Sequence, residues 1–453
     1  MTINELVALQ RQAFLSGGSL PVDARIDQME MLRKAILKWE TPICQALSSD
    51  LGKTHEEAYM TEVGMVLSEI SFIMRSLGKW AAAKRVKTPM SQFPARSYIL
   101  REPYGVVLIM SPWNYPFQLA MNPLVGALAA GNHCIVKPGS AAPATSRIIA
   151  QLIAECFPVE QAAAVLGGHA ENQALLEERF DYIFFTGGVR VGRIVMESAA
   201  RHVTPVTLEL GGKSPCIVDE SANIPLAARR IAFGKALNAG QTCVAPDYLL
   251  VQESVQRSLL TAIRDCWNQF YGDALSSPQW PRIINESHYY RIMSLMAGEQ
   301  VFCGGVGDGA RIAPTILTNV SWDSPIMQEE IFGPVLPVIA YRRLEDVIPI
   351  LKTREKPLAL YLFSRRASVQ DAVMSQVPFG GGCINDTVIH LANSRLPFGG
   401  VGMSGMGQYH GRHSFDTFTH EKSIVVRGGW PDIRMRYPPF TRKKLEKIRK
   451  FLR

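Results

Sequence analysis

Hydrophobic and polar positions along the chain follow two rhythms, and the change between them divides the sequence. Through residues 22–84 apolar side chains recur at helical spacing against charged faces, as with Ile26, Met29, Met31, Leu32, Ile36 and Leu37, which predicts a helical entry segment. Residues 85–104 break that rhythm with Pro89 and Pro94 and then a β-rich piece, SYILRE, predicting an arm or hairpin off the main body that could serve as an oligomer contact. From Gly105 short β runs alternate with helical windows: GVVLIM and a helix to residue 130, HCIVK and a helix over 145–157, DYIFFTGG and a helix over 191–200, then VTLEL. The same grammar returns over residues 211–385, in PCIVD with a helix over 224–237, YLLVQ with a helix over 255–270, and the runs PVLPVIAY and LALYLF. Strands alternating with helices predict an α/β chain with two parallel-sheet domains, whose ligands sit beyond the carboxyl ends of the strands.

One stretch tests this reading. Residues 103–136 carry no formal charge and are rich in Val, Leu, Ile and Ala. Pro112, Asn114, Pro116, Gln118, Asn122 and Pro123 interrupt it, whereas a membrane-spanning helix needs about 20 mostly apolar residues in a row. Buried strand, loop and helix are expected instead.

Composition changes little in this picture, but charge does. Hydrophobic residues make up 47% and charged residues 19% of 453, an ordinary globular balance for a chain long enough to form two or three domains. The net charge of +8 would suggest nucleic acid if it were spread over the body. It is not: residues 427–453 hold ten basic side chains against Asp432 and Glu446, and the remainder is neutral. The excess belongs to a tail, and no nucleic-acid partner is expected. The eight cysteines stand singly without metal-type spacing, as suits reduced thiols, and Glu5 and Arg11 interrupt any secretory signal; both point to the cytoplasm.

Two glycine-rich strings are decoys. GVGMSG at 400–405 fits a dinucleotide fingerprint but leaves no room for the βαβ unit that gives the fingerprint meaning. GGKS at 211–214 resembles the end of a phosphate loop, yet Thr207 stands where its first glycine must be. The informative element is VTLELGGKSP at 206–215 followed by AGQTCVAPDY at 239–248, which puts Cys243 34 residues after Glu209. Alone, Glu209 reads as a strand-end charge and Cys243 as a small buried residue. Together they suggest a nucleophile and its base.

With these two segments, the motifs SPWNYPF (111–117), VKPGS (136–140), FTGGVRVG (185–192), QEEIFGPV (328–335) and LPFGGVGMSGMGQYHG (396–411) fall in one order. In that order the chain resembles the aldehyde dehydrogenase superfamily, and its class 3 branch most closely, over nearly its whole length. The resemblance implies an aldehyde dehydrogenase-like fold: two Rossmann-type parallel-sheet domains plus a small β oligomerisation arm. An NAD(P)-binding domain would take residues 1–84 and 105–210, a catalytic domain 211–385, bridging or oligomerisation elements 85–104 and 386–426, and a basic tail 427–453. A homodimer is the implied assembly.

The resemblance also assigns roles. Cys243 would attack an aldehyde, Asn114 and the Cys243 backbone N–H would hold the oxyanion, and Glu209 would activate the water that hydrolyses the thioester. Without the resemblance, Asn114 reads as a turn residue. NAD or NADP would be held by Trp113, Lys137, Ser140, Phe185, Gly187, Gly188, Gly192, Leu210, Glu330 and Phe332. Lys137 also has a plainer reading, as a strand-end cation. Two positions depart from the family pattern. Gly188 lacks the usual hydroxyl or amide, removing one side-chain hydrogen bond to phosphate. Ser140 replaces a frequent Glu that would repel a 2′-phosphate, so both cofactors are expected to be accepted. Tyr115, Ile389 and Phe398 match or neighbour substrate-mouth positions, implying aromatic or medium-chain aliphatic aldehydes. In the tail, Leu445, Ile448, Phe451 and Leu452 stand at helical spacing among Lys and Arg. A solvated helix and a transient electrostatic contact with anionic membrane are both open there.

Overall fold

A computed structural model of the chain describes residues 1–17 and 21–451. Leu452 and the side chain of Phe451, part of the predicted apolar face of the tail, lie outside the described residues. Among those residues the strands form three sheets.

The first sheet has six strands in the order Gly405–Met406, Val206–Glu209, Tyr182–Thr186, Val106–Met110, His133–Lys137 and Ala162–Ala164. All neighbours run parallel except Gly405–Met406, which adds antiparallel to Val206–Glu209. The string GVGMSG thus supplies an edge strand. Gly405 serves close backbone approach, since a Cβ on it would lie 2.1 Å from the Leu208 carbonyl oxygen. The second sheet has seven strands in the order Gln300–Cys303, Thr315–Thr318, Val335–Tyr341, Tyr248–Gln252, Pro215–Val218, Ala359–Phe363 and Gly381–Ile384, parallel except for the first pair. The third is a small antiparallel sheet of Lys84–Val86, Arg96–Pro103 and Thr419–Val426.

The uncharged stretch is resolved by burial. Val106–Met110 is wholly buried, and Gln118–Ala130 is one continuous helix with all 13 residues inside. Asn122 and Pro123, expected to interrupt, sit within its first two turns. A proline there loses a hydrogen bond whose partner carbonyl lies near the helix start, where the ladder is still incomplete. Among the described residues no helix is long and apolar enough to cross a membrane.

The entry segment forms helices Val22–Lys38, Glu40–Leu51 and Gly64–Ala81, preceded by a helix Ile3–Gly17 that the pattern had not predicted. Within it a short π-helical turn, Tyr59–Val63, places Glu62 inward. Such bulges widen a helix by one residue and recur at functional sites.

Candidate active site

Three loops meet where the carboxyl ends of the first sheet face the second. The first follows Val106–Met110 and carries Trp113, Asn114 and Tyr115. It is fixed by an ion pair with no solvent exposure, Lys53 Nζ to Glu62 Oε1 at 2.6 Å. Glu62 Oε2 accepts the backbone N–H groups of Phe117 (2.8 Å) and Gln118 (3.2 Å). The Lys53 ammonium donates to the Asn114 carbonyl and lies 4.0 Å from the Tyr115 ring centre. This pair therefore sets the loop's path.

The second loop carries the thiol. The helix Ile224–Ala236 ends in a turn in which Asn238 and Ala239 take φ of 53° and 51°, a left-handed excursion that costs energy in non-glycine residues. Glu57 accepts the Asn238 N–H, and Asn238 donates to the carbonyls of Asn114 (2.7 Å) and Gln241 (3.1 Å). Asn114 Nδ2 donates to the Gln241 carbonyl at 3.0 Å, which uses one of its two hydrogens. The turn and the Asn114 loop are thus tied to each other directly.

The third loop contains Glu330 and Phe332. Lys213, from the string set aside as a false phosphate loop, pairs with Asp247 and donates to the carbonyls of Ile326 (2.9 Å) and Glu329 (2.8 Å). Asp247 in turn accepts the Ile331 N–H at 3.0 Å. Arg291 donates to the carbonyls of Glu330 and Ile331. These anchors hold Phe332 at φ 51°, its ring edge-on to Trp113 at 5.4 Å.

Cys243 stands at the junction of two cavities. One, of about 420 Å³, is lined by Trp113, Asn114, Gly187, Gly188, Glu209, Leu210, Glu330 and Phe332 as well as the thiol. The other, of about 180 Å³ and mostly apolar, is lined by Tyr115, Thr242, Ile389, Phe398 and the same thiol. Burial pushes the Cys243 thiol up to about 12, and the carboxylates of Glu330 and Glu209 push in the same direction. Glu209 has neither carboxyl oxygen bonded, and burial raises it well above the ordinary carboxylate range. Glu330 is raised to about 8, first by burial and then by Asp247.

Of the residues singled out in the sequence, the structure brings Cys243, Glu209, Asn114, Trp113, Gly187, Gly188, Leu210, Glu330 and Phe332 around the larger cavity, and Tyr115, Ile389 and Phe398 around the smaller. Four others stand back. Phe185 lies behind Gly187, where a Cβ would meet its ring at 2.6 Å. Gly192 packs on Leu210, again with no room for a Cβ. Lys137 is buried and spends two hydrogens on the carbonyls of Pro138 (3.0 Å) and Gly167 (2.8 Å). Ser140 is exposed beyond it.

Sequence reasoning missed several neighbours. Thr186 Oγ1 and His288 Nδ1, both on residues lining the larger cavity, are buried without partners. A further slot of about 370 Å³ separates the helices His169–Glu177 and Val189–Ala200 and is lined by His169, Arg190 and Arg201. Thr186 and Arg190 lie inside FTGGVRVG, where only Phe185 and the glycines draw notice; His169, Arg201 and His288 stand in no string that periodicity or spacing picks out.

Comparison with known proteins identifies the family. The model of the aldehyde dehydrogenase family matches residues 1–424. A 4,4'-diaponeurosporen-aldehyde dehydrogenase of Staphylococcus aureus is 50% identical over 427 residues, 93% of each chain. The dog protein named aldehyde dehydrogenase, dimeric NADP-preferring, is 46% identical and covers 96% of this chain and 98% of its own. A solved S. aureus AldH in its substrate-bound state superimposes over 100% of both chains with a TM-score of 0.98 at 46% identity. On the match over residues 1–424 and these identities, the chain belongs to the aldehyde dehydrogenase family of oxidoreductases, as its motifs implied.

Proposed function

We propose that the protein oxidises apolar aldehydes, medium-chain aliphatic or aromatic, to carboxylic acids through a thioester on Cys243, with NAD or NADP as oxidant. The position of the Cys243 thiol between two chemically different cavities carries this reading. The smaller, apolar one suits an aldehyde chain. The larger one fits a dinucleotide: Gly188 begins the helix Val189–Ala200 without a side-chain cap, leaving first-turn N–H groups for a phosphate, and Thr186 Oγ1 awaits a partner. Gly187 and Gly188 would hold the phosphates, and Trp113, Leu210, Glu330 and Phe332 the nicotinamide end. The slot between the two helices would take the adenosine end, near Lys137 and Ser140. When bound, NAD(P)+ supplies the two-electron acceptor.

The chain's own residues do the rest. A thiol raised to about 12 must give up its proton to solvent as it attacks, while Glu209, the buried carboxylate in the same cavity with both oxygens free, is left to act on water. Attack on the carbonyl carbon makes a thiohemiacetal, whose oxygen falls to the remaining Asn114 amide hydrogen and the Cys243 N–H. Oxidation leaves a thioester. Water gives a proton to Glu209 and its oxygen to the acyl carbon, and the acid leaves as the thiol re-forms. Reduced cofactor formed from hexanal or benzaldehyde without coenzyme A supports hydrolysis; turnover only when coenzyme A is added overturns it.

Ser140 is exposed and has no carboxylate of its own to oppose a 2′-phosphate. The specificity constants for NAD and NADP are therefore expected to be similar, and a preference for NAD above about a hundredfold contradicts this. In keeping with this reading, a similar protein is named NADP-preferring. The same reading makes the enzyme a cytoplasmic homodimer, joined through the three-stranded sheet, on which Val425 and Val426 are exposed. The basic helix Arg442–Phe451 would touch anionic membrane only transiently, and liposome pelleting that persists in high salt would count against that.

A further inference from the structure

Two cavities meet at Cys243, and the side chains common to both show what else stands at their junction. Among the described residues, four line both cavities: Leu119, Cys243, Phe398 and Tyr409. Leu119 and Phe398 are hydrocarbon, so apart from the thiol the Tyr409 hydroxyl is the polar side-chain group there. Tyr409 is 1% exposed, and its hydroxyl has no hydrogen-bond partner among the described residues. The oxygen is not sealed in, for it keeps accessible surface, and the space it opens on is the junction that the residue lines. A buried hydroxyl without a protein partner is normally satisfied by water or a ligand.

The ring is firmly held. Phe184, Phe398 and His410 meet it edge-on at 5.1, 5.8 and 4.3 Å. The Tyr409 N–H donates to the Phe398 carbonyl at 2.9 Å, and the Tyr409 carbonyl accepts the Phe398 N–H at 3.0 Å. The chain also arrives from the side of Glu209: just before Tyr409, Gly405 pairs with Glu209 and Met406 with Leu208. Tyr409 and Glu209 therefore reach the cavity from adjoining segments at one edge of the first sheet, whereas Asn114 comes from the loop after Val106–Met110. The hydroxyl belongs to the side of the water base. Burial holds the phenol well above its ordinary range, so it keeps its proton and leaves proton removal to Glu209.

We infer that the Tyr409 hydroxyl oxygen accepts a hydrogen bond from the water that hydrolyses the Cys243 thioester. The inference rests on the proposed hydrolytic reaction. With one hydrogen directed to Tyr409 and the other to Glu209, the water's lone pair is left for the acyl carbon. The C–O bond forms as one proton passes to Glu209, the C–S bond breaks with its electron pair on sulfur, and Tyr409 keeps its own proton throughout.

Tyr409→Phe keeps the ring contacts and removes only the hydroxyl. In a single turnover of hexanal with enzyme in excess and NAD present, the rate constant for reduced-cofactor formation should stay within about twofold of the wild type, while the acyl group on Cys243 should persist about tenfold longer, the scale of one hydrogen bond. Rapid quenching with intact-protein mass spectrometry follows the adduct. Hydroxylamine attacks a thioester without needing that water, so adding it after the burst should bring both chains to the same rate of adduct loss. An adduct that decays equally fast in both chains overturns the inference. So does an equal slowing of reduction and decay, or a difference that survives hydroxylamine, since either marks a merely structural role. A wild-type adduct that persists until coenzyme A is added is a separate result, which sinks the proposed hydrolysis and this inference with it.

Discussion

Replacing Glu209 by Gln should stop the enzyme after its first turnover. The substitution keeps the shape of the side chain and leaves Cys243 and Asn114 in place, so an aldehyde can still reach the thioester. What is lost is the base for water, and a positioned general base contributes roughly 10²- to 10⁴-fold. The steady-state rate should fall by that factor while a burst of reduced cofactor, about one per active site, remains. Intact-protein mass spectrometry should find the acyl group on Cys243. A loss of rate with no burst and no adduct would remove Glu209 from hydrolysis. The pH profile carries a second signature. Glu209 acts as a base only without its proton, and burial holds that proton to a higher pH than in an exposed carboxylate. The wild-type rate should therefore climb with pH over the range in which Glu209 ionises, and Gln should remove that limb. Stability runs the opposite way. The folded-state value lies above the unfolded one, so the group favours folding at low pH and loses that contribution as pH rises and it must ionise while buried. Glu209→Gln should thus be more resistant to denaturation than the wild type at pH 8, and impaired folding cannot then account for the lost activity.

Lys53→Met should damage the fold more than any substitution at the chemical centre. It strands the Glu62 carboxylate without solvent or a counter-charge, and breaking a buried pair from one side costs about 3–5 kcal/mol. Guanidinium denaturation should register a loss of that size. The double substitution Lys53→Met with Glu62→Gln should recover much of it, since an uncharged amide can still accept the Phe117 and Gln118 N–H groups. If Lys53→Met alone shifts stability by less than about 1 kcal/mol, the pair is not what holds the Asn114 loop.

This ion pair also marks the limit of what the sequence discloses. Lys53 and Glu62 lie in a segment whose charges read as the wet face of helices, and burial of a charge depends on a partner that periodicity does not see. Lys213 was hidden differently: a phosphate-loop string gave a reason to discard it, whereas its structural work is to clamp the Glu330 loop. The strands of both parallel sheets that carry the site were legible, because each is a compact β run closed by a turn. Ala162–Ala164 and Gly381–Ile384 were not, being short and made of alanine or opened by two glycines, residues depleted in strands. Cys243, Glu209, Asn114 and Glu330 were found because their segments keep an order, and the structure places all four on one cavity.

The edge strand Gly405–Met406 has a consequence for the chain on the ribosome. The first sheet draws its strands from residues 106–209, yet one edge waits for residues 405–406, and the small sheet waits for 419–426. At roughly 5–20 residues per second, the 195 residues between Gly405 and Leu210 take about 10–40 s to synthesise. Throughout that interval Val206–Glu209, the strand that ends on Glu209, presents an unpaired edge. Its pairing partner is made after the whole second sheet, so a nascent chain of this protein is most open to wrong strand addition just before it is complete.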